Sequence, residues 1–349
     1  MSEQSATEAT SRRPRHAAIS DIAELAGVSN MTVSRVINDK PGVGEDTRRR
    51  ILDLIREHDF RLNASARALK TGRPNTLGVI CLSTTLPGPT ATLFGVERTA
   101  RAHGYGVSIL SLEDLDEASV LEAMGKLDQV PVAAVVIIAP TRLSEAALHG
   151  AAAELPVVAI WAPSESGVAV AAMDHPTAAR EATQHLLDLG HATVHHISGP
   201  ANWTGTEQRI AGWRQALEAA GAPIPPVIEG DWSAESGANA MRTLLAAGID
   251  RVTAIFAAND QMALGAMSVC YQNGLPIPER ISIIGYDDLP DAAYYSPPLT
   301  SVRQSFSVVA ERAVAMALAR IDGTELPDQG LVHLPLVVRA STAPAPALP

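Results

Sequence analysis

A chain of 349 residues, 46% of them hydrophobic, is long enough for two or three domains with separate cores. It contains no run of about eighteen apolar residues, which excludes a membrane span. Its first sixteen residues are rich in Ser, Thr, Arg and Glu with no apolar stretch, which excludes a secretory signal and reads as a disordered leader, residues 1–16. The net charge of −11 is unevenly spread: residues 1–73 carry 13 Lys/Arg against 10 Asp/Glu, and the remainder 14 against 28. A basic head on an acidic body suits a small module for a polyanion joined to a larger domain with another task. Cys81 in GVICL and Cys270 in MSVCYQ lie in apolar contexts, as buried thiols of a reducing cytoplasm do.

The first predicted helix is SDIAELA, with Ser20 as its cap and Ile22, Leu25 and Ala26 on one face. Gly27-Val28-Ser29 breaks it, and Ser29 is placed to cap a second helix running to about Asn38. There Val33, Val36 and Ile37 share the buried face, which leaves Asn30, Met31, Ser34 and Arg35 outward. A solvated face carries Glu and Lys more often than this mixture of amide, thioether and hydroxyl. A third helix over about Glu45–His58 turns Ile51, Leu54 and Ile55 inward. Helix, short glycine turn, helix and a supporting helix make a helix-turn-helix module over residues 17–62. The segment 63–75 that follows, with Asn63 as cap, predicts a helix too short to stand alone in water.

From Leu77 the pattern changes. LGVICL, VSILSL, AAVVIIA and VVAIW alternate with helical stretches, and after Asp174 a second series follows with VHHIS, AIFAA and ISIIGY. Alternation of this kind predicts α/β lobes with doubly wound parallel sheets, and two series predict two lobes. Lobe 1 is expected over about 76–173 plus 303–333, and lobe 2 over about 174–302 plus 334–342. Ligands of open parallel sheets sit beyond the carboxyl ends of the strands, which puts a small-molecule site between the lobes.

The strings ISDIAELAGVSNMTVSRVIND, TRRRILDLI and RLNASARALKTG resemble the DNA-binding head and hinge of LacI/GalR-type transcription regulators. The likeness continues through QRIAGWRQAL, GDWSAESG, FAANDQMALGAM and ISIIGYDDLPDAAYYSPPLTSVRQSF, close to the lac repressor branch, and spans about residues 17–342. It implies a cytoplasmic homodimer on a pseudo-palindromic double-stranded DNA operator, with a periplasmic-binding-protein-like body. By that resemblance Asn30, Met31 and Arg35 contact base edges. Asn suits adenine, Arg suits guanine, and Met suits a thymine methyl. Ser29, Thr32, Ser34 and Asn38 suit phosphate oxygens. Asn63, Ala66 and Leu69 fall on the family's hinge helix in the minor groove, with Leu69 as its wedge. A core contact is the competing reading for Met31.

In the body, the resemblance carries effector contacts onto Arg209, Asn259 and Asp287, with Trp232 and Phe306 as apolar walls. Such a set suits a sugar: directed bonds to vicinal hydroxyls and a flat ring over the C–H face. Where the lac repressor branch has an aspartate after VVAI, this chain has Trp161, which argues against a plain galactoside pocket. A purine remains the alternative effector, and a sugar-binding protein with no DNA role is the weaker rival. Trp213 reads as helix packing, and Trp203 is left open.

Enzyme motifs are missing: there is no GxxxxGK[ST], no GxGxxG after a strand and no GxSxG. His191, His195 and His196 read as structural rather than metal-binding, and no cofactor is expected beyond the effector. The C-terminal VVRASTAPAPALP has no heptads for a tetramerising coil, so a dimer is expected, with residues 343–349 a disordered tail.

Overall fold

In the computed structural model the described residues are 19–37, 41–57, 74–127, 129–141, 148, 150–152, 155–162, 168–248, 252–327 and 330–347. The chain divides into two units, 1–74 and 75–349. The leader, Asn38 and the hinge residues Asn63, Ala66 and Leu69 lie outside the described residues.

The first unit contains α1 (Ile19–Ala26), α2 (Asn30–Ile37) and α3 (Glu45–Glu57). Ile22, Ala23, Ala26, Val33, Val36 and Ile51 form its core, with Val28, Val43, Leu54 and Ile55 packed against it. Gly27, at φ +62°, ends α1 in the left-handed conformation that a residue without Cβ adopts freely. Ser29 caps α2, its Oγ accepting the Thr32 N–H at 3.2 Å. Two details differ from the sequence reading. Ser20 lies inside α1 and not at its cap, and Leu25 is turned to solvent at 54% exposure, because the packed arc is already filled by Ile22, Ala23 and Ala26.

In the second unit the first sheet is built from β1 (Thr76–Leu82), β2 (Gly106–Leu112), β3 (Ala134–Ile138), β4 (Val157–Ile160) and β5 (Ala169–Ala171). Its order is β2-β1-β3-β4-β5, and every pairing is parallel. The second sheet takes β6 (His195–Ser198), β7 (Ile228–Glu229), β8 (Ala254–Ala257), β9 (Ser282–Asp287), β10 (Thr300–Arg303) and β11 (Leu336–Val337). Its order is β11-β10-β9-β8-β6-β7, with β11 antiparallel at one edge. All five residues of β3 and all four of β4 and β8 are buried, as strands covered on both faces must be.

The covering helices are α4 (Pro87–Ala102), α5 (Glu117–Leu127), α6 (His175–Asp188), α7 (Thr204–Ala219), α8 (Ala234–Gly248), α9 (Asp260–Gln272) and α10 (Phe306–Asp322). Close helix pairs rest on glycine. A Cβ at Gly212 of α7 would lie 2.1 Å from Pro176 O in α6, and one at Gly265 of α9 would lie 1.8 Å from Ala234 O in α8. Trp213 is fully buried, with Nε1–H donating to Val194 O at 2.9 Å, so it is a packing residue. Cys81 and Cys270 are buried free thiols.

The chain crosses between the two sheets three times, after β5, after β10 and between α10 and β11. The C-terminal segment corrects the expectation of a tail disordered from residue 343. Ser282 Oγ accepts the Ala343 N–H at 3.0 Å, and Leu189 O accepts the Ala345 N–H at 2.8 Å. Backbone groups, which composition does not reveal, tie this proline-rich end down.

Candidate functional site

On α2 the outward face is Asn30, Met31 and Arg35, all exposed, and Thr32 is half-buried. Met31 is 70% exposed, which rules out a core contact. Ser29 is exposed beside it, with its Oγ 3.0 Å from Thr32 Oγ1. Ser34 departs from the expectation: it is 8% exposed. About 100° round the helix from Val33, it falls within the packed arc and not on the presented face. A phosphate contact through Ser34 therefore lacks an open side chain to make it.

The second site is a cleft, and the strand ends build it. The residues after β1, β3, β4 and β5 supply Pro87, Pro140, Trp161 and Met173 from the first sheet. In the second sheet the residues after β6, β7, β8 and β10 supply Trp203, Trp232, Asn259 and Gln304, and the last residue of β9 supplies Asp287. The carboxyl ends of two parallel sheets thus open into one space. Trp161, Arg209, Trp232, Asn259, Asp287 and Phe306, the six residues expected at an effector site, all line it, and so does Trp203.

Each polar group is held from behind. Arg209 is 6% exposed, and its Nη1 donates to Ala258 O at 2.7 Å. Its guanidinium carbon lies 4.0 Å from the Tyr286 ring centre and 5.4 Å from that of Trp232. Asn259 works mainly on the protein. Its Oδ1 caps α9 by accepting the Met262 N–H at 2.8 Å, and its Nδ2 donates to Trp232 O at 2.9 Å, so it fixes Trp232 in the cleft. Trp232 in turn lies on Gly199, where a Cβ would approach its ring to 2.1 Å.

Asp287 accepts from Gln304 Nε2. Burial raises its pKa above the usual carboxylate value, and Arg209 opposes the shift. The loop beyond it is pinned by buried carboxylates. Asp260, at 0% exposure, accepts from Ser301 Oγ at 2.6 Å and from the Leu289 N–H at 2.7 Å. Burial, then the charge of Asp287, raises its pKa as well. Asp288 accepts from Arg303 Nε and Arg339 Nη2, each at 2.6 Å. His175, whose Nδ1 lies 2.8 Å from Tyr286 Oη, is held neutral: burial first, then Arg209, pushes its pKa well down.

Trp161 (φ +68°), Trp232 (φ +73°) and Asp287 (φ +111°) all stand in the left-handed region that side chains avoid. Strained backbone at three lining residues is the mark of a site that the surrounding structure maintains. Sequence reasoning missed His175, Thr204, Gln208, Gln304 and the supports Asp260 and Asp288. The doublet Asp287-Asp288 was a visible signal; the His175–Tyr286 contact, 111 residues apart, had none.

Other candidates resolve as structural. His196 is 1% exposed, its Nδ1 is 2.8 Å from Phe256 O, and it stacks on Phe256 and Trp213 with ring centres 4.7 and 5.5 Å away. His191 lies between Thr253 Oγ1 at 2.9 Å and Ser282 Oγ at 3.1 Å. No cluster of three metal-ligating side chains occurs among the described residues.

Residues 18–63 match the family model described as bacterial regulatory proteins, lacI family, and residues 183–342 match that of a periplasmic binding protein-like domain. Over 331 residues the chain is 32% identical to the ribose operon repressor of Escherichia coli, covering 94% of this chain and 100% of that protein. It is 33% identical over 334 residues to the HTH-type transcriptional repressor PurR of Pasteurella multocida, covering 93% and 98%. Among solved structures, the lac repressor dimer bound to operator and the anti-inducer ONPF matches with a TM-score of 0.85 at 30% identity, over 94% of this chain and 100% of that one. A transcriptional regulator CelR–cellobiose complex matches with a TM-score of 0.68 at 29% identity, over 93% and 99%. A helix-turn-helix head with an open recognition face, a body of two parallel sheets around a cleft, and full-length likeness to such repressors lead to one conclusion: the chain belongs to the LacI family of bacterial regulatory proteins.

Proposed function

We propose that this chain is a sequence-specific DNA-binding repressor of a carbohydrate-use operon, acting in the cytoplasm as a homodimer and released from a pseudo-palindromic operator by a sugar in the cleft. One observation carries the reading: Arg209 and Asp287 converge with the flat rings of Trp161, Trp232 and Phe306 on a single cleft. Guanidinium and carboxylate bond hydroxyl groups in fixed directions, and an aromatic face covers the apolar side of a sugar ring. The relatives are transcriptional repressors, in keeping with a regulator that binds its ligand unchanged.

Coupling follows from binding that differs between two arrangements of the body. A ligand that favours the non-DNA-binding arrangement by ~1–3 kcal/mol per site lowers operator affinity about 5–150-fold. Thermal shift on the full chain tests the effector, using mono- and disaccharides, sugar phosphates and purines. A ligand at about a hundred times its Kd adds ~2.7 kcal/mol of stability. A sugar hit lost in Asp287→Ala is the expected result; a purine hit would keep the repressor and replace the sugar.

A further inference from the structure

Among the described residues, four side-chain atoms of the cleft lining are buried with no hydrogen-bond partner: Trp161 Nε1, Trp232 Nε1, Arg209 Nε and Thr204 Oγ1. Their residues are held in place from behind. Trp161 donates its backbone N–H to Ala171 O at 3.2 Å, and Thr204 donates its own to Pro140 O at 3.0 Å. Asn259 Nδ2 fixes the Trp232 carbonyl, and Arg209 is tied by its Nη1 bond to Ala258 O. A polar atom buried away from every partner is costly, and each such atom in a native structure calls for an explanation. Three of these four are N–H groups, which donate and never accept; the fourth is a hydroxyl, which does either. Acceptors on the same lining are already engaged: Asp287 takes a bond from Gln304 Nε2, and Asn259 Oδ1 takes the Met262 N–H. The unmet demand of the cleft is therefore for acceptors. Two of the donors also stand together, with the Arg209 guanidinium carbon 5.4 Å from the Trp232 ring centre.

We propose that the effector is a sugar bearing an acyl oxygen, either the carboxylate of a sugar acid or the amide carbonyl of an acetylated amino sugar, and that this oxygen accepts from the orphaned N–H groups of Trp161, Trp232 and Arg209. This rests on the sugar reading above and names the functional group that the sugar carries. A hydroxyl in the same place answers one donor only by bringing a proton of its own, which is then orphaned among N–H groups. A carbonyl oxygen has two lone pairs and no proton, and a carboxylate offers about four accepting directions on two oxygens. A carboxylate also makes its bonds charge-assisted, with the Arg209 guanidinium as the opposite charge. Asp287 is left to accept from the hydroxyls of the ring, and Thr204 can turn its hydroxyl toward either kind of partner.

Isothermal titration of the full chain decides this. Glucose, galactose and ribose are compared with glucuronate, gluconate, galacturonate, ribonate and N-acetylglucosamine, with adenine and adenosine beside them. The expected result is one acid or acetylated sugar that binds about tenfold or more tighter than its parent sugar. Tight binding by an acid alone identifies a carboxylate, and by N-acetylglucosamine alone a neutral carbonyl. Trp161→Phe and Trp232→Phe each keep an aromatic ring and remove the N–H, so the ratio of derivative to parent should fall toward one in both. A parent sugar bound as tightly as its derivatives, or a ratio unchanged in both variants, overturns the proposal while leaving the sugar reading intact. Adenine or adenosine binding more tightly than every sugar, or silence from all the sugars, overturns both.

Discussion

Replacing Gly199 with alanine tests the seat of Trp232, because the sign of the result depends on whether the ring is there. Gly199 is not in the left-handed region, so alanine can adopt its backbone. With nothing in the way, the change would stabilise the protein by ~0.4–1 kcal/mol through the unfolded chain. The structure places Trp232 Cη2, Cζ2 and Cζ3 only 2.1, 2.2 and 2.6 Å from the new Cβ. Carbon pairs rest at about 3.5–4.0 Å, so the ring must retreat by more than 1 Å. It has little room to do so: Asn259 holds its carbonyl, Arg209 lies over it, and Trp203 meets it edge-on with ring centres 5.2 Å apart. Overpacking of this kind costs ~1–3 kcal/mol. Urea denaturation of the full chain, followed by far-UV circular dichroism, should show a lower midpoint for Gly199→Ala. In the Trp232→Ala background the same substitution should cost nothing, because the partner is gone. A midpoint equal to or above that of the parent protein would refute the placement of the ring.

Four further outcomes are expected. Met31→Ala should leave stability within ~0.5 kcal/mol, since the side chain is 70% exposed, yet alter base preference when operators are selected from random DNA; Arg35→Ala should cost ~1–3 kcal/mol at one base pair. A uniform loss of affinity on all DNA would make both residues backbone contacts. His196 has its pKa lowered by burial from 6.5 to about 4, so between those values the unfolded chain binds a proton that the folded chain refuses. The contribution of this group is therefore full above pH 6.5 and is lost on acidification, by about 3 kcal/mol; His196→Phe should flatten the urea midpoint against pH over that window, and an unchanged slope would contradict it. Ser341, fully buried, donates to Ile283 O at 2.6 Å and accepts the Thr300 N–H at 2.8 Å. Ser341→Ala should cost ~1–3 kcal/mol by orphaning those groups, read from the thermal midpoint.

What the sequence disclosed follows from how locally each feature is encoded. The α2 face was legible because Val33 and Val36 repeat at helical spacing, and β1, β3 and β9 were legible as apolar runs between helices. β5 with three residues and β7 with two are too short to carry a pattern, and both went unseen. Ser34 was misjudged because a hydroxyl tolerates burial as well as solvent. The six residues expected at an effector site, which share one cleft, were named through family resemblance. Their supports were not, since Asp260 to Ser301 and Asp288 to Arg339 are contacts between distant stretches. Nor does the string PGPT announce that Pro87 and Pro89 line a cleft. That meaning exists only once α4 is set against Trp161 and Phe306.

The triple crossing between the sheets has an evolutionary corollary. Neither layer is a continuous stretch of chain, because α10 returns to the first sheet after β10 and β11 then rejoins the second. A single recombination event inside the body cannot exchange one cleft wall for another. A chimaera that grafts a new first-sheet wall needs three matched junctions, after β5, after β10 and before β11. New specificity on this scaffold is therefore reached through point changes at the strand ends, and Trp161 stands at such a position.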